Sequence, residues 1–98
     1  MDLDDPQSNG LAAAIPREHV VFTDLDGVEG VLVDLNTKKY YQLNETATFV
    51  WRELEKRMTV ANIAAKMTEL YDVSPTRALN AVESLLGRLY SEKLVQPS

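Results

Sequence analysis

The stretch Asp34–Trp51, DLNTKKYYQLNETATFVW, constrains the fold more than any other. It places a turn, a strand and a helix start next to one another. Asp34-Leu35-Asn36-Thr37 carries the Asx chemistry of a tight turn. Lys39–Leu43 holds two tyrosines and reads as a short strand. Asn44 is a good N-cap, Glu45 suits the positive end of the helix dipole, and the stripe Ala47, Val50, Trp51, Leu54 predicts a helix to about Arg57. A strand that runs directly into a helix keeps one side free for a partner if it lies at a sheet edge.

Upstream, His19–Asp24 is rich in β-formers (Val20, Val21, Phe22, Thr23). Asp26-Gly27 is a turn signal, and Gly30–Leu35 is a second β-rich run. With Lys39–Leu43 they predict an antiparallel meander whose second strand is central and whose third is an edge. Downstream, Thr59 caps a helix with Val60, Ile63, Ala64, Met67, Leu70 and Tyr71 on one side. Ser74 and Pro75 open a third helix, striped by Ala78, Val82, Leu85 and Leu89 and flanked by Leu79 and Leu86. Gly87 inside it costs roughly 1 kcal/mol against alanine, so close packing is expected there. The fold class is α+β and winged-helix-like, a three-stranded antiparallel meander followed by three helices. Residues 1–16 read as a flexible tail with a patch at Leu11–Ile15 that can dock, 17–95 as the domain and 96–98 as the C-terminal end.

A chain of 98 residues with a net charge of −5 is one domain without the clustered Lys and Arg that nucleic acid needs. It has no cysteine, which excludes disulfides, thiolate metal sites and thiol nucleophiles. The N-terminal MDLDDPQSNG lacks the basic and apolar regions of a signal peptide, and no apolar run spans a bilayer, so the expectation is a cytoplasmic protein without a membrane partner. His19, the single histidine, reads as a strand-end residue rather than a ligand. Asp24, Asp26 and Glu29 read as a solvated turn, lacking the closing glutamate of a calcium loop. Gly27 and Gly30 do not precede a helix, which excludes a phosphate loop. With no nucleophile–base pair, the chain reads as a non-enzyme that needs no cofactor or metal.

Tyr40 and Tyr41 point to opposite faces of their strand. Tyr41 and Leu43 are assigned to the helix side, Tyr40 and Gln42 to the other. Lys38 and Lys39 can guard an ordinary edge against aggregation. The same edge can instead receive a peptide as an added strand.

The string VLVDLNTKKYYQLNETATFVWREL resembles the PqqD family: an aspartate, a turn, aromatics, Leu-Asn-Glu, then a helix with a tryptophan. The Thr-capped helix, the Tyr71–Pro75 junction and a Leu-rich helix ending in a Leu-Val pair are similar too. The resemblance covers roughly His19–Val95. It implies a RiPP recognition element, a peptide chaperone of winged-helix form. Such a domain binds the leader segment of a ribosomally made precursor peptide and delivers it to a modifying enzyme, in the namesake PQQ biosynthesis pathway a radical S-adenosylmethionine (SAM) protein. The leader adds along the third strand over a groove shared with the third helix. Carried over, the peptide-binding residues are Lys39, Tyr40, Tyr41, Gln42 and Leu43, with Arg77, Ala78, Ala81, Val82 and Leu85 on the helix. Two residues depart from the family pattern. Lys38 and Lys93 stand where glycine is usual, so a different backbone geometry is expected in the first turn.

A winged-helix DNA-binding regulator is the alternative, disfavoured because the third helix offers only Arg77 and Arg88 against Glu83. A monomer or weak homodimer is expected, and a structural homodimer through the same edge strand is a third reading.

Overall fold

The computed structural model of the chain describes residues 13–97. In chain order the elements are β1 (Ala14–Pro16), β2 (Val20–Asp24), β3 (Gly30–Asp34), β4 (Tyr40–Leu43), α1 (Glu45–Glu55), α2 (Val60–Leu70), α3 (Pro75–Ser91) and β5 (Val95–Pro97). β2, β3 and β4 form the expected antiparallel meander with β3 in the middle, and the three helices follow it as predicted. β1 pairs antiparallel with β5 in a separate two-stranded sheet. Residues 14–16 of the segment read as tail are therefore a strand, whereas Leu11 and Ala12 of its docking patch lie outside the described residues.

Local side chains shape both hairpin turns. Between β2 and β3, Asp24 accepts the Gly27 N–H at 2.7 Å, and Asp26 accepts those of Val28 and Glu29. Gly27 sits at φ 86, where glycine is favoured. Between β3 and β4, buried Asp34 accepts the N–H groups of Asn36 (2.8 Å) and Thr37 (3.1 Å). Burial pushes the Asp34 carboxyl up, but these hydrogen bonds and nearby His19 outweigh it and hold it below the usual range. His19 Nε2 is 3.7 Å from Asp34 Oδ1, at the strand-end position expected of it. Gly30 has its own reason: a Cβ there would collide with the Phe22 ring across the ladder.

Each helix starts on its predicted cap. Asn44 accepts from Ala47 N–H, Thr59 from Asn62 and Ser74 from Arg77, the last with Pro75 in the first turn. α1 and α3 both end in the two-bond pattern of a Schellman motif. Met58 N–H reaches Glu53 C=O and Arg57 reaches Leu54; Leu94 reaches Leu89 and Lys93 reaches Tyr90. The left-handed residue, usually glycine, is Arg57 (φ 64) in one and Lys93 (φ 61) in the other. Lys38 is also left-handed, at φ 67. The turn expected to differ thus keeps the conformation glycine favours, with a lysine carrying the strain.

The core joins the inner face of β3 (Leu32) to Val50, Trp51 and Leu54 of α1, Ile63 and Met67 of α2, Val82, Leu86 and Leu89 of α3, and Leu94 and Val95. Trp51 is buried as predicted, and its indole N–H donates to Glu55 at 3.2 Å. Buried Glu53 of α1 accepts from Lys66 of α2 (3.0 Å) and from Lys56 (3.1 Å). Burial raises the Glu53 carboxyl, but its two lysines more than offset this and leave it below the usual glutamate value. Three readings need correcting. Leu70, the last residue of α2, is 62% exposed, and the buried row of that helix is Val60, Ile63, Ala64 and Met67. On α3 the buried row is Ala78, Val82, Leu86 and Leu89, so Leu86 replaces Leu85 in the stripe. Gly87 has no atom within 4 Å of the place its Cβ would occupy, so packing does not require it.

Trp51→Ala should cost ~3–5 kcal/mol in chemical denaturation, the usual result of emptying a buried aromatic site. Gly87→Ala and Lys93→Gly should each raise stability by about 0.5–1 kcal/mol, the first by removing a helix-interior glycine and the second by relieving left-handed strain. Glu53 gives a pH signature. Its folded carboxyl lies below its unfolded value, so its contribution is full above about pH 4.5 and is lost as pH falls through the folded value. Urea midpoints measured from pH 7 to pH 3 should fall less steeply in Glu53→Gln than in the parent.

Candidate functional site

β4 is an edge strand, and the hydrogen-bond alternation of its ladder tells its two sides apart. Asp34 N–H donates to Lys39 C=O at 2.9 Å, and the register pairs Leu32 with Tyr41 and Gly30 with Leu43. Bonded pairs recur every second residue, so Tyr41 and Leu43 direct their backbone groups to β3. Tyr40 and Gln42 direct theirs to the open side. The β2–β3 ladder obeys the same alternation from its own side: Leu35 N–H donates to His19 C=O and Leu25 N–H to Glu29 C=O.

The side chains divide as expected. Leu43 is buried and Tyr41 half-buried on the helix side, while Tyr40 is 75% exposed and Gln42 lies open. Two ties fix the strand against the helices. Thr48 Oγ1 donates to Leu43 C=O at 3.3 Å, and the Tyr41 hydroxyl donates to Glu92 Oε1 at 3.2 Å. Burial, then the Glu92 carboxylate, push the Tyr41 phenol above its ordinary value. The phenol remains a neutral donor at physiological pH.

Beside this edge lies a groove of about 360 Å³. β4 forms one wall with Tyr41, Gln42 and Leu43. α3 forms the other with Ala81, Leu85, Arg88 and Glu92, and Leu89 lies on the floor with Val50, Met67 and Leu94. Asn44, Thr46 and Ala47 close the end at the α1 start. The interior is apolar and the rim polar, as suits a segment that buries a few side chains and keeps its backbone hydrogen-bonded.

Of the ten residues singled out by sequence, five line this groove: Tyr41, Gln42, Leu43, Ala81 and Leu85. Lys39 and exposed Tyr40 flank it at the strand start. Arg77 is exposed one helical turn before Ala81 on the same face, outside the lining. Ala78 (1% exposed) and Val82 (0%) lie in the core behind the wall and do not reach the groove. Arg88, Leu89 and Glu92 were not singled out. The signal for two of them was present, since Ala81, Leu85, Arg88 and Glu92 recur at the four- and three-residue steps of one helix face. Among the described residues no cluster of His, Cys, Asp or Glu could hold a metal ion, and no helix is long and apolar enough to cross a membrane.

A profile of the PqqD family, described as coenzyme PQQ synthesis protein D, matches residues 29–95. Among solved structures, a lasso peptide synthetase B1 complexed with the leader peptide matches with a TM-score of 0.79 at 26% identity, covering 86% of this chain and 98% of that one. TbiB1 in complex with the TbiA(β) leader peptide matches with a TM-score of 0.79 at 23% identity, covering 83% and 93%, a likeness that speaks for the fold. No curated protein matches in sequence.

Proposed function

The chain belongs to the PqqD family, and on that premise we propose that it is a non-catalytic adaptor. It binds the leader segment of a ribosomally synthesised precursor peptide along β4 and presents it to a peptide-modifying enzyme. The observation that carries this reading is the outward-facing backbone of Tyr40 and Gln42, which no described residue pairs, running beside an apolar groove. The lasso peptide synthetase B1 it resembles is complexed with a leader peptide, which supports the same use of this fold.

The mechanism has two parts. Backbone groups of Tyr40 and Gln42 pair with the leader, each hydrogen bond contributing a net ~0.5–1.5 kcal/mol. Apolar leader side chains enter the groove between Leu43 and Leu85. Ordering a flexible peptide offsets several kcal/mol of this, so the affinity is roughly micromolar. Lys39–Leu43, Ala81 and Leu85 make the contacts, with Arg77 at the groove's far end, whereas Ala78 and Val82 support the wall from behind. The partner on this reading is a peptide-modifying enzyme, of the radical SAM or another class. The DNA-binding alternative finds no support, and Glu83 with a chain charge of −5 opposes it.

Proline separates the two sides of β4. Gln42→Pro removes an outward N–H and should keep stability within ~1–2 kcal/mol of the parent while weakening leader binding about tenfold or more. Tyr41→Pro removes a ladder donor to β3 and should destabilise the domain outright. Thermal unfolding and calorimetry with a leader peptide encoded beside the gene would read both quantities. Unchanged binding by a folded Gln42→Pro would move the binding surface away from β4.

A further inference from the structure

The charge around the groove is not the charge of the chain. The net charge is −5, with 10 Lys and Arg against 15 Asp and Glu. Four of the ten cations are engaged by side chain: Arg17 with the Val95 carbonyl, Arg52 with Glu55 and the Phe22 ring, and Lys56 and Lys66 with Glu53. The side chains of the other six, Lys38, Lys39, Arg57, Arg77, Arg88 and Lys93, make no ion pair or hydrogen bond with another described residue. Five of these six lie on or next to β4 and α3, the two walls of the groove.

They are also unevenly placed along it. The Tyr41–Glu92 hydrogen bond sets the start of β4 against the end of α3. Lys38 and Lys39 precede β4 at that end, Arg88 lines the groove in the last turn of α3, and Lys93 follows the helix. Among the described residues Glu92 is the one carboxylate of the groove lining, and it already accepts the Tyr41 hydroxyl. Buried Asp34 beneath the turn is taken up by the N–H groups of Asn36 and Thr37 and by His19. Toward the opposite end, Arg77 is the one cation of the two walls among the described residues, with Glu45 in the first turn of α1 and Asp72 before the α3 cap. Glu83 lies on the far side of α3, about two hundred degrees around the helix from Ala81.

We propose, resting on the leader-binding reading above, that the segment recognised carries Asp or Glu beside its apolar anchor. These carboxylates lie at the Arg88 and Lys39 end, and this fixes which way the peptide runs along β4. Backbone pairing reads little sequence and can accept either direction. A cation cluster at one end discriminates between the two, since like charges brought together cost binding and opposite charges steer encounter. The local cluster acts despite the negative total, because charges beyond about 8 Å are largely screened at physiological salt.

The test uses the full chain and a displayed library of random peptides of about twelve residues, long enough to span β4 at ~3.4 Å per residue. Peptides eluted from the parent should carry Asp or Glu on one side of an apolar position, enriched about fivefold over the library. Selection in about 0.5 M salt should remove that enrichment while keeping the apolar position. With Lys39→Glu plus Arg88→Glu, two exposed changes whose folding circular dichroism would verify, the same position should turn to Lys or Arg. Apolar enrichment with no acidic bias, unchanged by the charge swap, overturns this proposal and leaves leader binding intact. Failure of any peptide to be enriched, or selected peptides that bind folded Gln42→Pro as well as the parent, overturns both.

Discussion

Everything on the groove side of this domain depends on β4 being held from one side only. A strand of four residues has few backbone bonds to give, and here only Tyr41 and Leu43 direct theirs to β3. The rest of its fixation comes from outside the ladder. Leu43 is buried in the core, Thr48 donates to its carbonyl, Tyr41 is tied to Glu92, and Asp34 organises the turn that delivers the chain into β4. Unpaired backbone groups are tolerable while water reaches them and costly once buried dry. The open edge can therefore be covered only by something that supplies matching donors and acceptors. Its shortness and the neighbouring Lys38 and Lys39 keep it from pairing indiscriminately.

The second wall is held from its far end. α3 terminates through Lys93 in a left-handed conformation, and the resulting turn sends Leu94 and Val95 into the core and on into β5. β5 then pairs with β1, and Arg17 adds its N–H to Leu94 C=O at 3.0 Å and its Nε to Val95 C=O at 3.3 Å. Glu53, with one lysine from α1's own end and one from α2, fixes how those two helices meet. A buried carboxylate is a poor source of net stability but tolerates few alternative arrangements, which suits a contact that sets geometry.

The candidate site was half legible. The strand side was read with its faces correctly assigned, because alternation along a strand is a local rule and Leu43 and Tyr41 are the apolar pair on the side facing the helices. The helix side was misphased. Leu85, Leu86 and Leu89 make a broad apolar band, and periodicity says which residues share a face but not which face the core will claim. The packed domain takes Ala78, Val82, Leu86 and Leu89 inward and turns Ala81, Leu85, Arg88 and Glu92 toward β4. The groove consequently lies along the later turns of α3 rather than its start.

The sequence by itself determined the three-stranded meander, the three helices, their order and the caps that start each helix. Asn44, Thr59 and Ser74 cap helices by bonding an N–H three residues on, and Asp34 and Asp26 shape turns by bonds two and three residues on. Interactions of that range survive without the rest of the fold, so they can be read from neighbours alone. Tertiary structure decided the pairing of Ala14–Pro16 with Val95–Pro97, the rotation of α3, the burial of Glu53 and which half of β4's backbone stays open. Each of these joins residues distant in the chain, and its free energy comes from packing surfaces that exist only once the helices and the sheet have met.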